Sequence, residues 1–256
     1  MRLFALSDIH SDFAENYKWI ENLSQTDYTN DILVLAGDIA HNLRIIEATF
    51  SVLRKRFSRV FYVSGNHDLW TVDYSDDSFE KEKTIFKLAK NSGIDLDPAI
   101  IGDYQIVPLY GWYDLSFGNI SQTLNDAWQD FVWCRWPDNL GLDDVTSHFL
   151  QRNMPVRKSG SASRVITFSH FLPRIDIMPS YIPQKHRVVY PVLGTTRLDE
   201  QLRKWGSHVH IYGHSHVNRQ ITVDGVTYIN NAFGYPTETR ICKKELLDIT
   251  PMVSGV

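Results

Sequence analysis

Short apolar runs that break off at the same few polar residues constrain this 256-residue chain more than any other feature. Leu3 to Leu6 stops at Ser7-Asp8, Asp31 to Ala36 stops at Gly37-Asp38, and Arg59 to Val63 gives way to Gly65-Asn66. Runs this short, rich in Val, Ile, Leu and aromatics, read as strands buried on both faces. Helix-length segments separate them. Asp12-Phe13-Ala14-Glu15 has the form of a capping box with Asp12 as N-cap, and Tyr17, Ile20 and Leu23 follow at helical spacing. Ile45, Ile46, Thr49, Phe50 and Leu53 form a second helical stripe. A β-α-β-α-β order predicts a mainly parallel sheet and places the chain in the α/β class.

The remainder continues in this manner. Asp77-x-x-Glu80 opens a helix that closes near Gly93. Tyr104 to Tyr110, Arg164 to Phe168 and Val209 to Tyr212 read as strands, the last two ending at Ser169-His170 and Gly213-His214. Thr196 to Trp205 reads as a helix, and Asp224-Gly225 joins two short strands as a tight hairpin. Gly111 to Gly141 is loop-rich and holds four of the seven tryptophans, and Met154 to Ser163 is a polar, basic loop. Pro173 to Pro191, with four prolines, is a long irregular excursion. Without repeats or a low-complexity linker, residues 1–256 are expected to form one domain, with a specificity-bearing insertion around 111–163.

Composition narrows the partners. Lys and Arg number 26 against 30 Asp and Glu, a net charge of -4, which argues against a nucleic-acid coat. No stretch approaches the ~20 apolar residues of a membrane span. Two distant cysteines, Cys134 and Cys242, make no disulfide scaffold and suit a reducing compartment. The first apolar run ends too early for a signal peptide, so the cytoplasm is the expected location. No feature of the sequence fixes an oligomeric state.

The polar strand tips carry the chemistry. Asp8, His10, Asp38, Asn66, His67, His170, His214 and His216 all follow predicted strands, and the ligand crevice of an open α/β sheet lies at the strands' carboxyl ends. Carboxylate, imidazole and amide donors together suit Mn, Fe or Zn better than Ca or Mg. Excluding His67, seven candidate ligands exceed what one ion with an open position can use. Two ions sharing a carboxylate, about 3.5–4 Å apart, would use them all and clamp an in-line displacement at phosphorus. A hydroxide bridging such ions is a nucleophile at neutral pH.

The series Asp8-Ile9-His10, Gly37-Asp38, Gly65-Asn66-His67-Asp68, Ser169-His170 and Gly213-His214-Ser215-His216 resembles the calcineurin-like metallophosphoesterase superfamily. The resemblance implies a two-sheet α/β sandwich of mixed β-sheets flanked by helices. It implies a first metal on Asp8, His10 and His216, a second on Asn66, His170 and His214, and Asp38 bridging both. His67 would stay off the metals, face the substrate and protonate the leaving oxygen or stabilise the transition-state charge. Two divalent transition metal ions are implied, manganese first, iron or zinc as alternatives. The expected activity is hydrolysis of a phosphoester bond, by a phosphatase or phosphodiesterase acting on a small molecule. The alternatives are a nuclease on the same fold or a non-catalytic metal-binding interaction scaffold.

Two branches are disfavoured. The protein Ser/Thr phosphatases carry Asp where this chain has His41, Arg-Gly in place of Asn42-Leu43, and Arg in place of Ser64; purple acid phosphatases carry Tyr at His41. The usual Asp that orients the catalytic His is absent, so His41 or a later Asp is expected to orient His67. Trp112, Tyr113 and His41 are the expected substrate contacts. Leu124, Trp128, Phe131 and Val132, at helical spacing, are expected to pack on the core rather than form an aromatic wall. Asp68 reads as a turn or cap carboxylate, His208 and His210 as structural histidines, and Arg152, Arg157, Lys158 and Arg164 as solvated.

Overall fold

The computed structural model describes residues 1–137, 140–153 and 163–254. Its strands are β1 (Leu3–Leu6), β2 (Ile32–Leu35), β3 (Arg59–Tyr62), β4 (Ala99–Ile101), β5 (Tyr104–Pro108), β6 (Arg164–Phe168), β7 (Val209–Tyr212), β8 (Arg219–Val223), β9 (Val226–Asn230) and β10 (Leu247–Asp248). Its helices are α1 (Ala14–Glu21), α2 (Leu43–Arg56), α3 (Ser78–Asn91), α4 (Gln122–Ala127), α5 (Asp130–Trp133), α6 (Leu142–Gln151), α7 (Thr196–Trp205) and α8 (Thr250–Ser254).

Two mixed sheets result. The first has the order β10-β1-β2-β3, with β1, β2 and β3 parallel and β10 antiparallel at the edge. The second has the order β4-β5-β6-β7-β9-β8, with four central parallel strands and antiparallel strands at both edges. Every residue of β2 is 1% exposed or less, because both faces of the first sheet are covered, which is why the run carries no alternation. One hydrophobic core runs through both sheets. The sheets are stitched at their carboxyl ends, where the Ser7 amide donates to the Asn231 carbonyl (3.0 Å) and the Phe233 amide donates to that of Ser7 (2.8 Å). That seam brings the tips of β1 and β9 together and sets the floor of the site.

Several local expectations change. Asp12 does not cap α1, whose N-cap is Phe13 without a side-chain bond. The Asp12 carboxylate instead accepts from the His41 amide (3.0 Å), a tertiary partner that outcompetes the local one. Helices α4 and α5 form in the stretch expected to be loop. Arg152, expected in solvent, pairs with Glu82, a fully buried carboxyl that also accepts from the Ser64 hydroxyl (2.8 Å). A buried carboxyl left unpaired costs several kcal/mol, on the order of 3–5. Most of the basic loop, with Arg157 and Lys158, lies outside the described residues.

Candidate metal centre

The strand tips are strained in one place. Among the described residues, seven non-glycine positions have a left-handed backbone, and five of them are Asp8, His10, Asp38, His214 and His216. Each costs on the order of 1–3 kcal/mol and persists only where its surroundings over-determine it. Asp68 supplies that determination at Asp38. Its buried carboxylate accepts from the amides of Asp38 (3.0 Å), Ile39 (2.7 Å), Ala40 (3.1 Å) and Gly65 (2.8 Å), and from the Tyr62 hydroxyl (2.8 Å). The turns after β2 and β3 are thereby tied to one anion. Gly65 lies so close to Asp38 that a Cβ there would sit 2.1 Å from Oδ1. Only glycine permits that approach.

The far nitrogen of each imidazole decides what its near nitrogen can do. His170 Nδ1 donates to the Ala36 carbonyl (2.9 Å), leaving a lone pair on Nε2. His214 Nε2 donates to the Val192 carbonyl (3.0 Å), leaving a lone pair on Nδ1. Those two lone-pair atoms face each other at 3.2 Å with no proton to share. Asn66 Oδ1 lies 3.0 Å from His170 Nε2, and Asp38 Oδ2 lies 3.5 Å from it. On the other side, His216 Nδ1 is held by Glu238 Oε2 (2.6 Å). Its Nε2 lies 3.1 Å from His10 Nε2 and 3.3 Å from Asp8 Oδ1. His170 Nε2 and His214 Nδ1, both acceptors, repel at such a distance unless a cation lies between them. Ligand atoms about 2.1 Å from an ion stand ~3.0–3.4 Å apart, so the residues fit a metal pair. The donor atoms of Asp8, His10, Asp38 and His216 lie within 4.8 Å of one another, as do those of Asp38, His170 and His214, and Asp38 belongs to both sets.

Electrostatics point the same way. Asp8, Asp38, Asp68 and Asp130 are all buried. Burial, then the charges of Asp8 and Asp68, holds the Asp38 carboxyl well above the usual range. Burial, then His216, pushes His10 well down. Burial works to lower His216 as well, yet Asp8 and Glu238 outweigh it and push it up to about 9. Such a crowd of buried acids calls for cations.

His67 stands beside the two donor sets rather than in them. Its amide donates to Asp38 Oδ1 (2.9 Å), its ring lies against Trp70 (centroids 3.6 Å) and its Nε2 is 4.0 Å from Asp38 Oδ2. It helps to line a cavity of about 330 Å³ with Asp38, Asn66, His214 and His216 on the floor. Trp70, Trp128, Val189, Leu193, Tyr235 and Ile241 contribute to the walls.

The expected substrate contacts fare differently. Trp112 is fully buried among Trp136, Phe149 and Phe171 and does not line the cavity, because the chain turns into the core after β5. Tyr113 is buried behind the site, its hydroxyl donating to Asp130 Oδ2 (3.2 Å). His41 pairs with Asp12 (3.2 Å) and lines a separate cavity with Asp73, Tyr74 and Lys81; the ring neighbours of His67 are Trp70, His10 and Tyr235. Trp128, expected in the core, lines the cavity because α4 ends one residue before it. His210 is structural, bonded to the Thr167 hydroxyl (2.7 Å) and to that of Ser169 (3.1 Å).

Three residues went unnoticed in the sequence. Asp130 accepts from Asn66 Nδ2 (2.9 Å), Trp70 Nε1 (2.6 Å) and Trp128 Nε1 (2.9 Å), which aims the Asn66 oxygen at the second donor set. Glu238 fixes His216, and Tyr235 bonds His67 (3.2 Å). Tyr235 and Glu238 follow β9 at the end of the sheet where β7 delivers His214, a position that could have flagged them. Asp130 had no local signal.

The calcineurin-like phosphoesterase family model matches residues 1–218. The chain belongs to the calcineurin-like phosphoesterase family. It is therefore a phosphoric ester hydrolase of a class that uses divalent metal ions. It is 25% identical over 261 residues to the [acyl-carrier-protein] phosphodiesterase PptH of Mycobacterium tuberculosis, covering 93% of this chain and 79% of that protein. The crystal structure of phosphopantetheinyl hydrolase (PptH) from the same organism superposes with a TM-score of 0.79 at 22% identity, covering 98% of this chain and 96% of that one. That likeness establishes the two-sheet metallophosphoesterase fold. Among the described residues, no helix is long and apolar enough to cross a membrane.

Proposed function

We propose that this enzyme is a dinuclear-metal phosphodiesterase that releases the phosphopantetheinyl arm of a carrier protein. The hydrolytic reading rests on one observation: two facing donor sets share Asp38, with His67 beside them and outside both. Two divalent ions bound there supply a nucleophilic water at neutral pH and neutralise the phosphoryl oxygens. We assign Asp8, His10, Asp38 and His216 to one ion and Asp38, Asn66, His170 and His214 to the other. A nitrogen and oxygen set without thiolate suits manganese, with iron or zinc as alternatives.

The chain's own groups do the rest. A water oxygen bonds to phosphorus as the bond to the leaving oxygen breaks; His67 supplies the proton to that oxygen, and the proton given up by the water restores His67. Proton donation of this kind contributes about 10²–10⁴-fold, most where the leaving group is an alkoxide. Asp130 holds Asn66 in register. The walls offer Trp128, Val189, Leu193 and Ile241 above a polar floor, which suits an amphiphilic arm bearing both amides and methyl groups. A cavity of about 330 Å³ admits such an arm and leaves a folded carrier outside. PptH, related over nearly the whole chain, supports this substrate over a free small phosphoester. The 111–163 segment acts on specificity through Trp128 and Asp130. Two separate, buried free cysteines suit a cytoplasmic enzyme.

The test is intact-mass analysis of a phosphopantetheinylated carrier protein incubated with enzyme and Mn²⁺. Conversion to the unmodified carrier is expected, with bis(p-nitrophenyl) phosphate turned over at least ~10-fold faster than the monoester, a gap of about 1.4 kcal/mol in barrier. Hydrolysis of the simple diester with an intact carrier would move the assignment to another diester. Inertness toward all three, with ions bound, would favour the scaffold reading.

A further inference from the structure

His67 needs a partner to fix its ring, and no spare carboxylate provides one. Among the described residues, the one carboxylate within 4.0 Å of the ring belongs to Asp38, which both donor sets share. The Tyr235 hydroxyl lies 3.2 Å from His67 Nε2 instead. An imidazole's second side-chain torsion is broad, so stacking alone leaves the ring free to turn its nitrogens. Trp70 covers one side of it and the edge of His10 meets it at 4.6 Å (centroids). Neither contact selects a nitrogen. The hydroxyl does.

Tyr235 is a built feature rather than a stray surface aromatic. Its ring stacks on that of His10 (centroids 4.4 Å, 28° between planes) and Phe13 meets its edge at 5.6 Å. Its amide donates to Glu238 Oε2 (2.8 Å), the same oxygen that holds His216 Nδ1. The Gly234 amide donates to the Asp8 carbonyl (2.9 Å). The Lys244 ammonium bonds the carbonyls of Phe233, Gly234 and Tyr235 together, and Asn16 Nδ2 adds a bond to Gly234 (3.1 Å). The segment that delivers the hydroxyl is thus docked on the segment that carries Asp8 and His10.

We propose that Tyr235 is the partner of His67 in proton delivery: the Nε2 proton passes to the Tyr235 oxygen as the Tyr235 hydroxyl proton passes to the leaving oxygen in the cavity that both residues line. This rests on the phosphodiesterase reading above and adds to it the side chain that bonds His67.

Tyr235→Phe keeps the ring and its stacking and removes only the hydroxyl. The decisive measurement is kcat and KM on ethyl aryl phosphodiesters whose leaving groups run from p-nitrophenol to phenol. An interrupted proton delivery costs little when the leaving oxygen needs no proton and much when it does. The expected loss in kcat is below ~3-fold for p-nitrophenolate and about 30-fold for phenolate, part of the full contribution of a general acid, with KM within about 2-fold. His67→Ala is expected to show a slope of the same sign but steeper, and Tyr235→Phe to add nothing in the His67→Ala background. Bound ions per chain and thermal unfolding are expected to match the parent. Imidazole ¹⁵N–¹H spectra of the ion-free protein give a readout apart from turnover: the hydroxyl's removal should shift His67 Nε2 and leave His210 in place. A uniform loss across the series, no loss, lost ions, or an unmoved His67 resonance would overturn the role of Tyr235. A flat series for His67→Ala would likewise overturn it, since His67 would then not be the proton donor; inertness of the parent enzyme toward every diester would overturn the phosphodiesterase reading beneath it, which separates the two failures.

Discussion

Asp68→Asn removes the tie between the metal-centre turns without changing their shape. The Asp68 Oδ1 atom accepts from the amides of Ile39 and Ala40, and Oδ2 accepts from those of Asp38 and Gly65 and from the Tyr62 hydroxyl. An asparagine presents one oxygen and one NH₂ group. Whichever end receives the NH₂, two buried backbone N–H groups face another donor, and the hydroxyl can rotate while the amides cannot. Each orphaned buried donor costs about 1–3 kcal/mol, or about 2–6 kcal/mol for two. Burial raises the Asp68 carboxyl above its usual range despite these bonds, so part of the loss is returned when the charge is deleted. The expected destabilisation is about 2–4 kcal/mol. Urea unfolding in chelator, with an unchanged m-value, measures it. Manganese titration is expected to show weaker binding of both ions, since Asp38 and Asn66 lie on the two turns that Asp68 ties. A change below about 1 kcal/mol with unaltered ion affinity would refute the energetics assigned to this carboxylate.

Other perturbations follow from the same geometry. Asp130→Ala frees the Asn66 amide to turn its nitrogen toward the second ion and is expected to weaken that ion's binding by about 10–100-fold, read by metal titration. His41→Ala is expected to leave kcat and its pH profile unchanged within about 2-fold, because the ring meets Asp12 rather than His67. In the ion-free protein His216 is pushed up to about 9, so at pH 7.5 it carries a proton that ion binding must expel. Calorimetry in buffers of different ionisation enthalpy is expected to register that release. Ion affinity should fall as the pH drops from 9 toward 6, because more of His216 must be deprotonated.

Strands buried on both faces write themselves as uninterrupted apolar runs, so β1, β6 and β7 were legible to the residue, and the polar residues at their ends marked the site. Metal-ligand candidates sit within a few residues of a strand end, where position along the chain predicts position in space. The groups that aim them do not. Asp130 reaches Asn66 across 64 positions and Glu238 reaches His216 across 22, through packing that no local pattern encodes. Trp112 misled because closeness to a strand end fixes nearness to the sheet edge but not the direction of the ring. Edge strands β4 and β10, three and two residues long, are too short to show any period.

Anomalous diffraction from crystals grown with Mn²⁺ addresses the metal pair itself. Two peaks about 3.5–4 Å apart are expected, one among Asp8, His10, Asp38 and His216, the other among Asp38, Asn66, His170 and His214, with an Asp38 oxygen touching both. A single peak at saturating Mn²⁺, or an Asp38 bound to only one ion, would contradict the dinuclear centre.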